Sequence, residues 1–284
     1  VPIVALSQQL VPVGNKGYKN DGVEPDRGTS LTDFVFRIEY IDKKGFFPEY
    51  VWAHIDTNND NFISSNETFT MSLEKGDDPK KGLVFVRRMR LSYHIDSTND
   101  LIYYFSTKTR DKRTALSGQF SGPQIIPVLR FSLSRGEWNT GEEKEPMEVV
   151  TMTPKERILI KNTGDGVENF ALAIDTTMGS SWLPAKKRTE IAEDRYLLSA
   201  LFTKPNELGI SEQDFNELGD EDVITLDLKR AHGPVFGQGN ISYGEKLSPE
   251  EETALWLSLV MPSASRKNCG KVEKIIIKVI CLGE

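Results

Sequence analysis

Oxygen-bearing side chains crowd one short stretch of the chain, "DTNNDNFISSNE" at residues 56–67, between two segments of alternating apolar and polar residues. Asp56, Asn58 and Asp60 stand at every second position, Ser64 and Glu67 follow, and the backbone carbonyl of Phe62 lies between the two groups. Calcium is a hard cation that gathers roughly six to eight oxygens at about 2.3–2.6 Å. Donors at alternate positions of a tightly turned loop converge on one point, and a carboxylate at the far end closes the shell with two oxygens. The chemistry these residues offer is therefore cation binding, with Ca2+ the expected ion.

The register is that of an EF-hand-like calcium loop in a β context: Asp56 at its first position, Asn58 at the third, Asp60 at the fifth, Phe62 at the seventh, Ser64 at the ninth and Glu67 at the twelfth. The sixth position is ordinarily Gly, because the turn there needs a left-handed backbone. Here it is Asn61, and Asn visits that region at modest cost. The flanking helices are missing: "PEYVWAHI" and "TFTMSLE" read as strands, so a helix-opening sensor is not implied. Modest affinity is expected, on the order of the 10⁻⁴–10⁻³ M of extracellular modules. The competing reading is an Asn/Asp-rich hairpin that solvates its own turn.

Other constellations carry less. Glu217, Asp220, Glu221 and Asp222 could hold a second cation, although acidic clusters without defined spacing are usually solvated loops. "GQGNIS" lacks the third Gly of a phosphate-binding turn, no GxSxG occurs, and His54, His94 and His232 show no paired spacing. Trp52, Trp138, Trp182 and Trp256 could line a sugar-binding face, or sit in the core as Trp in alternating strands usually does. Cys269 and Cys281 could close a late hairpin disulfide in an oxidising compartment or remain two free thiols. The sequons "NET" and "NIS" read as chance matches. No catalytic set stands out, and an enzyme is not expected.

The elements that must position these residues are strands. Period-two alternation marks 34–42, 50–56, 68–74, 83–95 and 101–109, with turn clusters such as "KGDDPKKG" and "DSTND" between them. After the Gly/Pro punctuation of "SGQFSGPQIIP", a second series follows at 128–134, 157–162, 169–175, 196–202, 223–231, 254–262 and 274–282. Short helices are expected within 186–196 and 211–218, the latter between an N-cap at Ser211 and a stop at Gly219. The fold class is all-β. Two consecutive antiparallel β-sandwich (Ig-like) domains are expected, 1–127 with the calcium loop and 128–284 with one or two short helices.

The segments "GVEPDRGTSLTDFVFRIEYIDKKGFFPEYVWAHID" and "LIYYFSTKTRDKRTALSGQFSGP" resemble the tandem Ig-like modules of secreted and surface-attached bacterial proteins. In the second half, "ILIKNTGDGVENFALAID", "YLLSALF" and "LSPEEETALWLSLVMP" resemble another extracellular β-sandwich type, in which I-x-N-T-G opens a strand pair. The resemblance implies a secreted or surface structural role without enzymatic chemistry.

Composition agrees with a folded, non-membrane body. Of the residues, 38% are hydrophobic and 27% charged, and no apolar run approaches a membrane span. The formal charge of −7, with basic residues interspersed among acids, disfavours nucleic acid. The start at Val1 has two readings, a trimmed end or a mature end left by signal-peptide removal; the second is preferred, and with it an extracellular or cell-surface location is expected. The uncharged opening "VPIVALSQQLVPV" has two readings: a strand of its own sheet, or an assembly arm in which Val1, Ile3, Val4, Leu6, Leu10, Val11 and Val13 join a neighbouring copy. The expected function is a calcium-stabilised subunit of an extracellular filament or surface layer that self-associates as a homopolymer. The alternative is a calcium-stabilised adhesin or carbohydrate-binding module of a larger surface protein, partnered by a glycan or other surface proteins.

Overall fold

The computed structural model describes residues 7–14, 16–18, 21–95, 100–141, 143–175, 181–215, 220–265 and 272–283. It is all-β, with strands, turns and three short 3-10 turns and no α-helix among the described residues. The chain divides into two compact units, Val1–Val128 and Leu129–Glu284.

The first unit contains β1 (Gln8–Pro12), β2 (Val23–Glu24), β3 (Arg27–Thr29), β4 (Phe34–Asp42), β5 (Pro48–Ile55), β6 (Thr68–Thr70), β7 (Ser72–Lys75), β8 (Leu83–Met89), β9 (Ile102–Thr109), β10 (Thr114–Leu116), β11 (Phe120–Ser121) and β12 (Gln124–Ile126). One antiparallel sheet runs β1-β4-β8-β7 with β2 also on β4, the other β10-β9-β5-β6 with β11 also on β9, and β3 and β12 form a short parallel pair. Strict alternation explains how they stack. Phe34, Phe36, Ile38 and Tyr40 of β4 share one core with Val51, Ala53 and Ile55 of β5 and Tyr103 and Phe105 of β9, all fully buried. Each large apolar side chain so placed contributes about 1.5–3 kcal/mol, and slipping β4 by one residue would turn the whole set outward.

The opening segment is stitched into this unit. β1 pairs antiparallel with β4, Leu10 and Val13 are buried in the unit's own core, Val11 is half-buried, and the Gln8 amide donates to Thr109 Oγ1 at 3.2 Å. Residues 8–12 thus complete the unit's own sheet, the first of the two readings of this segment. Val1, Ile3, Val4 and Leu6 lie outside the described residues.

The second unit contains β13 (Phe131–Leu133), β14 (Val149–Thr151), β15 (Ile158–Asn162), β16 (Asn169–Asp175), β17 (Leu183–Pro184), β18 (Arg195–Thr203), β19 (Lys229–Arg230), β20 (Glu252–Val260) and β21 (Ile276–Leu282). A sheet ordered β13-β15-β20-β18-β17, with β14 also on β20, shares a core with β19-β16-β21. β18 and β20 are buried at nearly every position, so this sheet is covered on both faces. Ala185, Leu197, Val223 and Val260 make a small second core on its other side. Two elements of this unit depart from expectation. Residues 223–231 give only β19, because Val223 and Ile224 lie against β18, through the N–H of Ile224 on Leu198 O at 2.9 Å, while Leu226 and Leu228 are exposed. The expected helices reduce to 3-10 turns at Arg188–Glu190 and Glu212–Phe215; Gly219 lies outside the described residues.

Candidate functional site

The loop 56–67 connects β5 to β6, which pair antiparallel with Ala53 opposite Phe69. Its two ends are built around buried carboxylates. Asp56 is fully buried and accepts the N–H of Asp60 on Oδ1 at 3.1 Å and that of Asn61 on Oδ2 at 2.7 Å. Asp60 in turn accepts the N–H of Phe62 at 2.8 Å and the Asn58 amide at 2.9 Å, so Asp56, Asn58 and Asp60 gather about one turn. Asn59 and Asn61 hold that turn in left-handed backbone, at φ 56° and 64°, which Asn tolerates better than other non-glycine residues. Phe62 projects into solvent.

Glu67, 3% exposed, closes the other end. Its Oε1 accepts the N–H and hydroxyl of Thr57 at 2.8 and 2.9 Å and the N–H of Asn58 at 3.2 Å; its Oε2 accepts the N–H and hydroxyl of Ser64 at 2.9 and 2.7 Å. Burial alone would raise the pKa of this carboxyl, but the Ser64 hydroxyl and N–H, with Thr57 and Asn58, hold it at about 2. With both oxygens engaged by these N–H and hydroxyl donors, Glu67 is a staple across the loop in this arrangement. His94 Nε2 donates to Thr57 O at 2.8 Å and fastens the same turn from another segment. Among the described residues no group of three or more His, Cys, Asp or Glu side chains is placed to hold a metal.

Asp42 repeats the pattern. It is fully buried and accepts Lys44 N–H at 2.8 Å and Arg113 Nη2 at 3.0 Å. Burial opposes its ionisation, yet these donors bring its pKa below the ordinary value.

The outward face of the β10-β9-β5-β6 sheet carries a row of rings. Tyr50 stacks on Trp52 with centroids 3.8 Å apart, Trp52 meets His54 edge-on at 6.3 Å, and His54 stacks on Tyr104 at 4.4 Å. The register produces it, because His54 lies opposite Tyr104, Trp52 opposite Ser106 and Tyr50 opposite Lys108, whose Nζ stands 5.9 Å from the Tyr50 ring centroid. His54 is locked between Thr68 Oγ1 at 2.9 Å and Ser106 Oγ at 2.7 Å, and burial lowers its pKa. The four rings are half-buried. Trp256, by contrast, is a core residue bonded to Thr203 Oγ1, and Trp138 and Trp182 pack partly against the same main core of the second unit. The spacing of Tyr50, Trp52 and His54 was visible as a period-two aromatic run; the joining of Tyr104 required the strand pairing.

The acidic stretch at 220–222 is arranged otherwise. Lys229 Nζ donates to the carbonyls of Asp220, Glu221 and Val223 at 3.0, 2.8 and 3.2 Å, so a tethered ammonium takes the place of a loose cation. Asp222 is 1% exposed; neither carboxyl oxygen makes a well-formed hydrogen bond among the described residues, though the backbone N–H groups of Gly237 and Phe236 stand close enough to favour its ionised form. Burial pushes its pKa up to about 7 against the pull of the Lys229 charge. Glu217 lies outside the described residues. Cys281 is a free thiol, and its expected partner Cys269 also lies outside them. Burial and the neighbouring Glu168 push the Cys281 thiol up to about 12.

The sequence matches no family model and no curated protein. Among solved structures, a DUF4466 family protein from Parabacteroides merdae ATCC 43184 is similar at 10% identity, over 91% of this chain and 99% of that one, with a TM-score of 0.24. A biofilm-associated protein B domain is similar at 9% identity, over 91% of this chain and 72% of that one, with a TM-score of 0.19. At such scores neither likeness bears on function.

Proposed function

We propose that this chain is a secreted or cell-surface protein of structural type, a subunit of an extracellular filament or layer, whose first unit is stabilised by calcium at the Asp56 end of its loop. The observation that supports this most is the placement of the first unit's buried carboxylates: Asp42, Asp56 and Glu67 each hold a turn closed through backbone N–H groups. Charge buried to lock turns suits a body that must keep its shape. Calcium in this reading is taken by Asp56, Asn58, Asp60 and the Phe62 carbonyl. Each Asp56 oxygen accepts one N–H and retains a lone pair, whereas Glu67 remains a staple. Assembly uses a surface other than β1, which is held at home by β4.

Thermal unfolding of the full chain with and without calcium tests the metal. A hundredfold excess over Kd stabilises the native state by about 2.7 kcal/mol, and Asp56→Asn with Asp60→Asn removes the increment. An unchanged response in the double variant, or none in the parent, ends the calcium reading. Imaging of concentrated protein tests the structural role: polymers of defined width support it, and monodisperse particles in both conditions oppose it.

A second reading has its own observation. The uncovered ring row of Tyr50, Trp52, His54 and Tyr104 favours a binding module of a larger surface protein.

A further inference from the structure

Resting on the binding-module reading, we propose that the outward face of the β10-β9-β5-β6 sheet binds an acidic polysaccharide, one bearing uronic acid or sulfate groups. The C–H faces of sugar rings are apolar and pack against aromatic side chains, while their hydroxyls and acid groups need polar partners at the rim. Both kinds of group are present here. Trp52 and Tyr104 supply half-buried aromatic surface, and Thr70, directly opposite Trp52, supplies an exposed hydroxyl.

Charge selects the class of glycan. The chain carries 42 acidic against 35 basic residues, yet the alternate positions that share this face, from Tyr50 to His54, Ile102 to Lys108, Thr68 to Thr70 and Thr114 to Leu116, include no carboxylate; the acid of β5, Glu49, is exposed at the bulge before Tyr50, at the end of the row. Lys108 is their ammonium. An acid-free patch with a cation at its edge, on a protein otherwise negative, attracts a polyanion where the remaining surface repels one. The frame is also preorganised: the rings rise from paired strands, and His54 is fixed at both nitrogens by Thr68 and Ser106, so little side-chain freedom is lost on binding. The second unit offers a contrast, since its β18 and β20 are covered on both faces by its own chain.

Affinity electrophoresis of the full chain through gels containing polygalacturonate, chondroitin sulfate or neutral hydroxyethyl cellulose tests the proposal. Retardation is expected in the two acidic gels and not in the neutral one, weakening as salt is added. Trp52→Ala should lower the affinity at least tenfold, and Lys108→Gln about fivefold with loss of most of the salt dependence. Should Trp52→Ala unfold, Tyr104→Ala and Lys108→Gln carry the test, with circular dichroism as the check on folding. Retardation of every variant like the parent would overturn this site while leaving the binding-module reading standing. Equal retardation in the neutral gel would overturn the acidic class, and no retardation in any gel would overturn the proposal with its parent reading. A concentration-dependent self-association lost in Trp52→Ala would also overturn it, because the face would then join two copies.

Discussion

Two acidic stretches, one in each unit, are handled differently. At 56–67 the carboxylates of Asp56 and Glu67 accept backbone N–H groups, and the chain folds around anions. At 220–223 the backbone presents carbonyls that a lysine ammonium fills, and burial of the Asp222 carboxyl outweighs the pull of Lys229 and of the Gly237 and Phe236 N–H groups. The difference lies in how fully N–H donors meet the buried carboxyl. Where several N–H and hydroxyl groups bond it, the ionised form is stabilised; where burial outweighs its donors, the acid favours its neutral form.

The largest expected effect breaks the first arrangement. Glu67→Ala strands the N–H groups of Thr57, Asn58 and Ser64 and should destabilise the first unit by about 4 kcal/mol, read as a shift of one transition in denaturant unfolding of the full chain. Glu67→Gln, which keeps one acceptor oxygen, should lose roughly half as much.

Next comes Asp222→Asn. The folded-state pKa of Asp222 is raised, so its contribution is fully present below the unfolded value of 3.8 and is lost as the pH rises toward about 7. The amide removes that loss and should stabilise the second unit by about 3 kcal/mol at pH 8, with little change at pH 4. Glu67 has the opposite sign. Its pKa is depressed, so its contribution is present above the unfolded 4.5 and is lost as the pH falls toward about 2. Calorimetry between pH 3 and 8 should therefore show the two transitions moving in opposite directions, and parallel movement would refute the comparison.

Smaller again is Lys229→Met, which leaves three carbonyls without their donor and Asp222 without its neighbouring charge. A loss of about 2 kcal/mol is expected at pH 7, shrinking in the Asp222→Asn background because the two sites are coupled. Ser64→Ala should have the smallest effect, about 1 kcal/mol, since Glu67 keeps the Ser64 N–H.

Much of the frame was legible because strand burial leaves a period in the sequence. β4 spans 34–42 and β16 spans 169–175, as their alternation and apolar content indicate. The loop was legible as a set of donors at fixed spacing, but not as two separate carboxylate turns. Spacing says which side chains can meet a cation, whereas the number of N–H groups that reach Glu67 depends on the path of the backbone. The reading of 223–231 as one strand holds only at its ends: Val223 makes a single antiparallel bridge to Ser199 of β18 and Lys229–Arg230 form β19, while Leu226 and Leu228 between them are exposed. The ring row needed the pairing of β5 with β9, since Tyr104 is far from Trp52 in sequence and opposite His54 only through that register.

Between β6 and β7 the chain crosses from one sheet of the first unit to the other with only Met71, 4% exposed, as the crossing point. The two strands end their respective sheets and are consecutive in the chain, so that margin of the sandwich is a covalent hem. The chain also passes between the sheets from β4 to β5 and from β8 to β9, but here the passage is one residue long, so tension on this margin must shear ladder bonds on both sides before the hem lengthens. The stapled loop lies immediately before it, ending at Glu67, and acts as the knot that keeps the thread from running.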